Sequence, residues 1–362
     1  MAEVKKTKIL NYINVFRGLA ILLIVAGHTM QFGSAGSLVQ RTAVEVFAGG
    51  TALFIFISGF LFQHLSGKYE FKNYMQKKWT NVIQPYLWTA IPGILFCFLF
   101  PVRYGNAFEG LNPLLQIPMM LSVGRVHNTP AWFIPMIVLF FLSSYGLLQA
   151  EKKGVLYKTL PLMFLITFLF PRQDVDYNSV MGLSYSAKYL AYLKYVLFGY
   201  LHFFSMYVFG MFCSANKYII DKFYDYRWVY IVLMLAFAGV NLFLPYTNGT
   251  VSKIFLTIIV LAYLKHYDEW LISHVKLNKV LDFIAKYSFG IFFIHWYIFF
   301  LYNLIFKLPN VMPVTVNVSC TLFLVFLRFI TVSLVSMFVL WGIKKLLLKW
   351  NSETNTRSFI GV

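Results

Sequence analysis

Residues 11–31 of the sequence read NYINVFRGLAILLIVAGHTMQ, an apolar stretch that contains one arginine and one histidine. A helix that crosses a membrane needs about 20 predominantly apolar residues. The stretch is longer than the apolar core of a signal peptide, includes Arg17 and His28, and lacks a small-residue cleavage site. We therefore predict a retained first membrane helix rather than a signal peptide.

The composition of the whole chain also indicates a membrane protein. Its 362 residues are 59% hydrophobic and 12% charged, whereas soluble domains carry roughly 25% charged residues. Aromatic residues reach 20%, which suits the Trp and Tyr belts of membrane interfaces. The net charge of +18 would suggest a nucleic-acid partner in a soluble protein. In a membrane protein it is better explained by basic cytoplasmic loops, so we expect the lipid bilayer and no nucleic acid as a partner.

Apolar stretches of suitable length recur along the chain and predict ten spans. They cover residues 11–31, 44–63, 81–101, 130–149, 157–171, 190–213, 228–245, 250–265, 286–306 and 318–343. Ten spans place 21 of the 31 Lys and Arg residues on the side of the two termini and seven on the other side. Because basic residues collect in the cytoplasm, both termini are expected there.

The predicted fold is therefore an all-α integral membrane protein with about ten transmembrane helices. Residues 1–349 form one transmembrane domain and residues 350–362 a short cytoplasmic tail, with no internal repeat. The three cysteines, Cys97, Cys213 and Cys320, lie in apolar stretches without metal-ligand spacing. They predict neither a disulfide framework nor a metal site.

Arg17 and His28 are the most informative polar residues of the first helix. Their separation of eleven residues is close to three helical turns, so both side chains project from one face, about 16 Å apart along the axis. Arg17, near the cytoplasm, could meet a phosphate-bearing ligand, whereas the imidazole of His28 lies deeper in the membrane. The alternative is that Arg17 reaches lipid headgroups and His28 bonds a neighbouring carbonyl. The two residues alone do not decide between these interpretations.

Four further ionisable residues fall within the predicted spans: Glu45, His202, His295 and Arg328. Such groups are costly in a membrane and are functional candidates by default. Arg328 requires a partner, and Glu45, at comparable depth, is a candidate for it. His295 either bonds the backbone of its own helix or orients His28 or a substrate.

Polar and aromatic residues near the span ends offer further site candidates. Lys77 and Lys78 precede the third span and either anchor it on the cytoplasmic side or hold phosphates. Trp132 opens the fourth span and belongs either to an aromatic belt or to a surface that stacks on a sugar ring. Ser58, beside Gly59, is either an ordinary packing residue or a hydrogen-bond donor to substrate.

Five motifs occur in order along the chain. They are Arg17 and His28 with ten residues between them, FIFISGFL over 54–61, KKWTNVIQPY over 77–86, the pair Trp132-Phe133, and SFGIFFIH over 288–295. Together they resemble acyltransferase family three, the bacterial membrane acyltransferases that modify lipopolysaccharide, exopolysaccharide and other envelope sugars. The chain departs from this pattern at Lys77, Lys78 and Asn81, where the family often has arginines.

The resemblance implies a membrane O-acyltransferase of the bacterial inner membrane. Acetyl-CoA, or another acyl-CoA, would bind from the cytoplasm near Arg17, Lys77 and Lys78. A hydroxyl of an envelope polysaccharide, or of its lipid-linked precursor, would enter from outside past Trp132. His28 would act as general base or carry the acyl group itself, and no metal would be needed.

In the same mechanism Ser58 and His295 are the candidate oxyanion donors, while Arg328 and Glu45 support the site. The alternative functions are a transporter or flippase for a lipid-linked sugar, and a purely structural membrane component.

Overall fold

The computed structural model describes residues 10–101, 106–127, 129–172, 175, 177–244, 248–314 and 317–362. Within these ranges the chain is helical and has no β-strand, only an isolated bridge between Phe32 and Met312. The α-helices are α1 Asn11–Thr29, α2 Leu38–Phe47, α3 Gly50–His64, α4 Phe71–Lys78, α5 Gln84–Leu99, α6 Pro113–Val123, α7 Phe133–Lys152, α8 Leu160–Leu169, α9 Tyr177–Met181, α10 Tyr185–Ala215, α11 Tyr218–Asp225, α12 Arg227–Phe243, α13 Gly249–His266, α14 Asp268–Ser273, α15 Val275–Phe306, α16 Val318–Trp350 and α17 Thr356–Ile360.

Eight helical segments among the described residues are long and apolar enough to cross a membrane, rather than the predicted ten. A ninth is present if α11 and α12, which meet at an angle of 73°, form one span. The predicted span 157–171 corresponds to α8 and one preceding 3₁₀ turn, Tyr157–Thr159. At 1.5 Å per residue these elements reach only about 20 Å, which is less than the roughly 30 Å apolar layer of a bilayer.

The predicted second and third spans have boundaries that the apolar pattern did not reveal. Gly49 adopts a φ of +92° and breaks the span 44–63 into α2 and α3. A Cβ at this position would also lie 2.8 Å from the side chain of Lys253, so both conformation and space require glycine. The third span begins earlier than predicted, because a π turn, Trp79–Ile83, joins α4 to α5.

Two helix pairs form the centre of the bundle. One pair is α1 with α15, and the other is α3 with α10. In the second pair a Cβ at Gly59 would lie 2.0 Å from the carbonyl oxygen of Tyr207, and one at Gly210 would lie 2.1 Å from that of Phe56. The two backbones therefore touch, which is typical of small residues at helix interfaces in membranes. Helix α1 contacts both α3 and α15, so it links the two pairs.

Candidate active site

His28 lies at the carboxyl end of α1, against α15. Its ring centroid is 5.4 Å from that of His295 and 5.5 Å from that of Trp296. The His28 side chain is half-buried, and its ring nitrogens make no hydrogen bond to any residue that the structure describes. An accessible imidazole without a partner is free to exchange a proton with a ligand.

His295 presents one occupied and one unoccupied nitrogen beside His28. Its Nδ1 is 2.8 Å from the carbonyl oxygen of Ile291 and must donate there, because a carbonyl only accepts. In neutral His295 the Nε2 atom is then an acceptor. This atom is buried without a hydrogen-bond partner among the described residues.

Trp296, which the sequence analysis did not single out, brings a second unpartnered group to the same place. Its indole Nε1 is buried without a hydrogen-bond partner in the described part of the chain, although an indole N–H is always a donor. Buried polar groups are nearly always satisfied in folded proteins. A bare donor and a bare acceptor beside His28 therefore mark a place where a polar ligand or water binds.

Arg328 fixes the end of α1 directly beyond His28 and is only 1% exposed. Its guanidinium donates five hydrogen bonds, to the carbonyl oxygens of Thr29, Gln31, Pro309 and Asn310 and to the side-chain oxygen of Asn303. The carbonyls at the end of a helix lack intrahelical partners, and Arg328 supplies two of them with donors. It therefore positions His28 indirectly, through the backbone that follows it.

The expected pairing of Arg328 with Glu45 is wrong. Glu45 accepts hydrogen bonds from Asn241 at 3.0 Å and from Ser252, and Lys253 donates to its main-chain carbonyl oxygen. These partners lie on α12 and α13, because α2 packs against α12 rather than against α16. The depth of two residues in a membrane does not predict which helices touch.

Trp132 occupies a 3₁₀ turn, Thr129–Trp132, that packs against α15 at the same end of the bundle. The guanidinium of Arg172 lies 3.8 Å above its ring and also donates to the hydroxyl of Tyr195. The residue after Trp132, Phe133, has its ring centroid 5.2 Å from that of Phe292, which is 6.5 Å from that of His295. Sequence reasoning missed Arg172, which it assigned only to an outer loop.

Arg17 and Lys78 lie at the opposite end of α1. Arg17 is half-buried and donates to Asn14 at 3.0 Å, while its Nε is buried without a partner. Lys78 is also half-buried, with its ammonium 4.6 Å from the ring centre of Phe141. Helix α17 contacts both the π turn that directly follows Lys78 and α15, which in turn packs on α1 beside Arg17. Lys77, by contrast, is exposed, so the structure separates the two lysines.

Ser58 and His202 have their polar atoms engaged within the bundle. The Ser58 hydroxyl donates to the carbonyl oxygen of Phe54 at 2.9 Å. His202 uses Nδ1 towards the carbonyl oxygen of Phe170 at 2.9 Å and Nε2 towards the hydroxyl of Thr250 at 2.8 Å. Ser58 therefore bonds within its own helix, whereas His202 links α10 to the residue that follows α8 and to α13.

Comparison with known proteins gives one family. No curated protein and no solved structure matches the chain. A family model described as an acyltransferase domain matches residues 10–350, which includes both ends of α1 and every helix that contributes to the sites above. The chain therefore belongs to acyltransferase family three and is a membrane acyltransferase.

Proposed function

We propose that this protein moves an acetyl or other short acyl group from cytoplasmic acyl-CoA to a sugar hydroxyl outside the bacterial inner membrane. The acceptor in this proposal is an envelope polysaccharide or its lipid-linked precursor. One observation carries the proposal. At one end of α1, His28 has no hydrogen-bond partner among the described residues, and at the other end Arg17 has a buried Nε without a partner and no ion pair within those residues. The pattern is that of a base and a phosphate site on one helix.

The distance between these groups suits an acyl-CoA. Arg17 and His28 lie on one face of α1, about 16 Å apart along its axis. Cations at the Arg17 end would hold the phosphates of the nucleotide. The extended pantetheine arm would then run along α1 and present the thioester beside His28. This placement keeps the nucleotide on the cytoplasmic side while the acyl group reaches the other side.

Proton transfer is the role proposed for His28. Its free nitrogen takes the proton of the acceptor hydroxyl as the oxygen attacks the thioester carbonyl. The tetrahedral intermediate collapses, the carbon–sulfur bond breaks, and the CoA thiolate takes the proton back from the His28 imidazolium. The unpartnered Nε2 of His295 can accept a hydrogen bond from that imidazolium. No metal ion is required for these steps.

Trp296 is the better-placed donor for the oxyanion of the intermediate. Ser58 already donates to its own helix, and the buried Nε2 of neutral His295 has no hydrogen to give. The indole N–H of Trp296 is a donor without a partner, edge-on to the His28 ring. A donor in place before the reaction stabilises negative charge as it forms.

Trp132 and Arg172 are proposed to receive the acceptor. The guanidinium of Arg172 covers one face of the Trp132 ring and retains donors for the hydroxyl or acidic groups of a sugar, while the half-buried indole holds that guanidinium in place. The turn that carries Trp132 packs against α15, the helix of His295, which fits an acceptor that enters opposite the nucleotide.

The test is acyl transfer in membrane vesicles with labelled acetyl-CoA, comparing the wild type with His28→Gln at equal expression. General-base catalysis typically contributes about 10²–10⁴-fold, so labelling of the sugar should fall at least about 100-fold. His266→Ala is the matched control, because His266 is exposed and stacks on Tyr224 at 3.6 Å, away from the site.

Two outcomes would contradict the proposal in different ways. Equal labelling by the wild type and His28→Gln would remove His28 as the base. An absence of labelling by the wild type would rule out acetyl-CoA as the donor or the sugar as the acceptor. An assay of lipid-linked sugar flipping would then test the transporter alternative.

A further inference from the structure

The segment 355–362 is folded back onto the bundle rather than extended away from it. Phe359 stacks on Trp88 with ring centroids 5.8 Å apart. A Cβ at Gly290 would lie 2.8 Å from the carbonyl oxygen of Ile360 and 2.5 Å from the side chain of Val362, so α15 receives this segment at a position without a side chain. We call residues 355–362 the docked segment.

Docking brings Arg357 to the region that holds Arg17 and Lys78. Helix α17 packs against α5 and against the π turn Trp79–Ile83, which directly follows Lys78 in the chain. On the α1 side, a Cβ at Gly18, next to Arg17, would lie 3.4 Å from the backbone nitrogen of Ala285. This point of α15 is about one and a half helical turns from Gly290, where the docked segment packs. Three cations from three parts of the chain therefore meet.

These cations lack ion pairs with the protein. Within the described ranges, none of Arg17, Lys78 and Arg357 approaches a carboxylate closely enough to form a salt bridge. Asp282 accepts a hydrogen bond from Asn14 instead. Like charges gathered without partners cost free energy, which a polyanionic ligand would recover.

The Arg357 side chain is both accessible to solvent and flanked by protein. Its side chain is solvent-accessible, yet the surrounding protein lowers its pKa by burial. A guanidinium stays protonated near neutral pH in spite of such a shift. It therefore offers a permanent positive charge and several donors to a phosphate.

We propose that Arg357 is a third phosphate-binding residue of the acyl-CoA site and that the docked segment forms one wall of that site. The inference rests on the proposed donor. The inference also extends the proposed function, because it predicts that binding of acyl-CoA depends on a segment beyond the residues matched to the family.

The experiment uses the purified full chain and compares Arg357→Gln, Arg357→Lys and Lys349→Gln. Lys349 is exposed at the end of α16 and serves as the control for the loss of one charge. We expect Arg357→Gln to raise the KM for acetyl-CoA about tenfold with little change in kcat, since a lost ground-state contact affects KM alone. Arg357→Lys should recover most of this loss, and Lys349→Gln should match the wild type.

Thermal unfolding separates a binding role from a structural one. Without ligand, Arg357→Gln should melt no lower than the wild type, because it relieves repulsion among the cations. Coenzyme A should raise the melting temperature of the wild type and hardly that of the variant. If Arg357→Gln keeps the wild-type KM, or melts lower without ligand, the inference is wrong while the proposed function stands. If the wild type shows no response to coenzyme A and no transfer, both are wrong.

Discussion

Arg328 and Arg17 are both arginines within membrane-spanning helices, yet their surroundings are opposite. Arg328 is 1% exposed and donates five hydrogen bonds. Arg17 is half-buried, donates to Asn14, and has other cations nearby. A guanidinium whose donors all form hydrogen bonds within the protein holds its segments together. One that keeps donors without a protein acceptor is available to a ligand.

The same contrast separates groups around His28. Glu45, His202 and Ser58 are engaged with their neighbours, whereas His295 Nε2 and Trp296 Nε1 are buried without partners. Hydrogen-bond satisfaction therefore distinguishes supporting residues from candidate site residues. The predictions below test that distinction.

The largest effect should follow from Arg328→Met. Removal of the guanidinium takes the donor from the carbonyls of Thr29, Pro309 and Asn310, while that of Gln31 keeps the N–H of Met312. We therefore expect roughly 3–5 kcal/mol of lost stability. The melting temperature of the purified protein measures this loss. The melting temperature of Arg328→Lys should lie between those of Arg328→Met and the wild type. A variant as stable as the wild type would show that these contacts do not hold the helices.

Trp296→Phe should act on catalysis and spare the fold. The substitution keeps the aromatic ring and removes the unpartnered N–H, and loss of one oxyanion donor typically lowers kcat about 10²–10³-fold. Steady-state transfer to the sugar measures kcat, with the melting temperature as the control. An unchanged kcat would mean that the indole N–H does not face the reacting carbonyl.

Arg17→Gln should weaken donor binding and leave stability unchanged or improved. Hydrogen bonds to charged groups contribute about 1.5–3 kcal/mol, so the KM for acetyl-CoA should rise by about 10- to 100-fold. A fall in melting temperature like that of Arg328→Met would abolish the distinction between the two arginines.

Lys77 and Lys78 provide a comparison between sequence neighbours. Lys78→Gln should raise the KM for acetyl-CoA several-fold, by at most about tenfold. The reason is that the Lys78 ammonium belongs to the proposed phosphate site with Arg17 and Arg357. Lys77→Gln should have no effect, since Lys77 is exposed. Equal effects in the same kinetic assay would show that both serve only as a basic anchor of the membrane interface.

Glu45→Gln should give the smallest effect. Asn241 and Ser252 donate to the two separate carboxylate oxygens, and glutamine keeps only one of these as an acceptor. The Ser252 hydroxyl can accept from the new amide while it donates to the carbonyl oxygen of Gly249, so we expect about 1 kcal/mol of lost stability. Melting temperature measures it, and transfer kinetics should match the wild type. A large loss of transfer would place Glu45 in the acceptor site.

The sequence was sufficient for properties that depend on one helix. Arg17 and His28 lie on α1 as the period of a helix requires, and the order of the motifs identified the family. Trp132 was singled out because it begins a predicted span, and its role stays a prediction. Each of these follows from local spacing or from depth in the membrane.

Properties that depend on contacts between helices were not predictable. The separate partners of Arg328 and Glu45, the approach of Arg172 to Trp132, and the docking of Arg357 all join residues far apart in sequence. The break at Gly49 was hidden because apolar residues continue through it. Hydropathy fixes how deep a residue lies, but not which neighbour it meets.

Arg328 also bears on the order in which the chain enters the membrane. An arginine at the centre of an inserting helix costs about 2.5–3.5 kcal/mol. Its acceptors belong to α1, to α15 and to the short segments that follow them, all of which precede α16 in the chain. During synthesis from the amino terminus these carbonyls are in place before α16 arrives. When α16 leaves the insertion machinery, Arg328 can therefore form its hydrogen bonds at once. The end of α1 then determines where α16 packs.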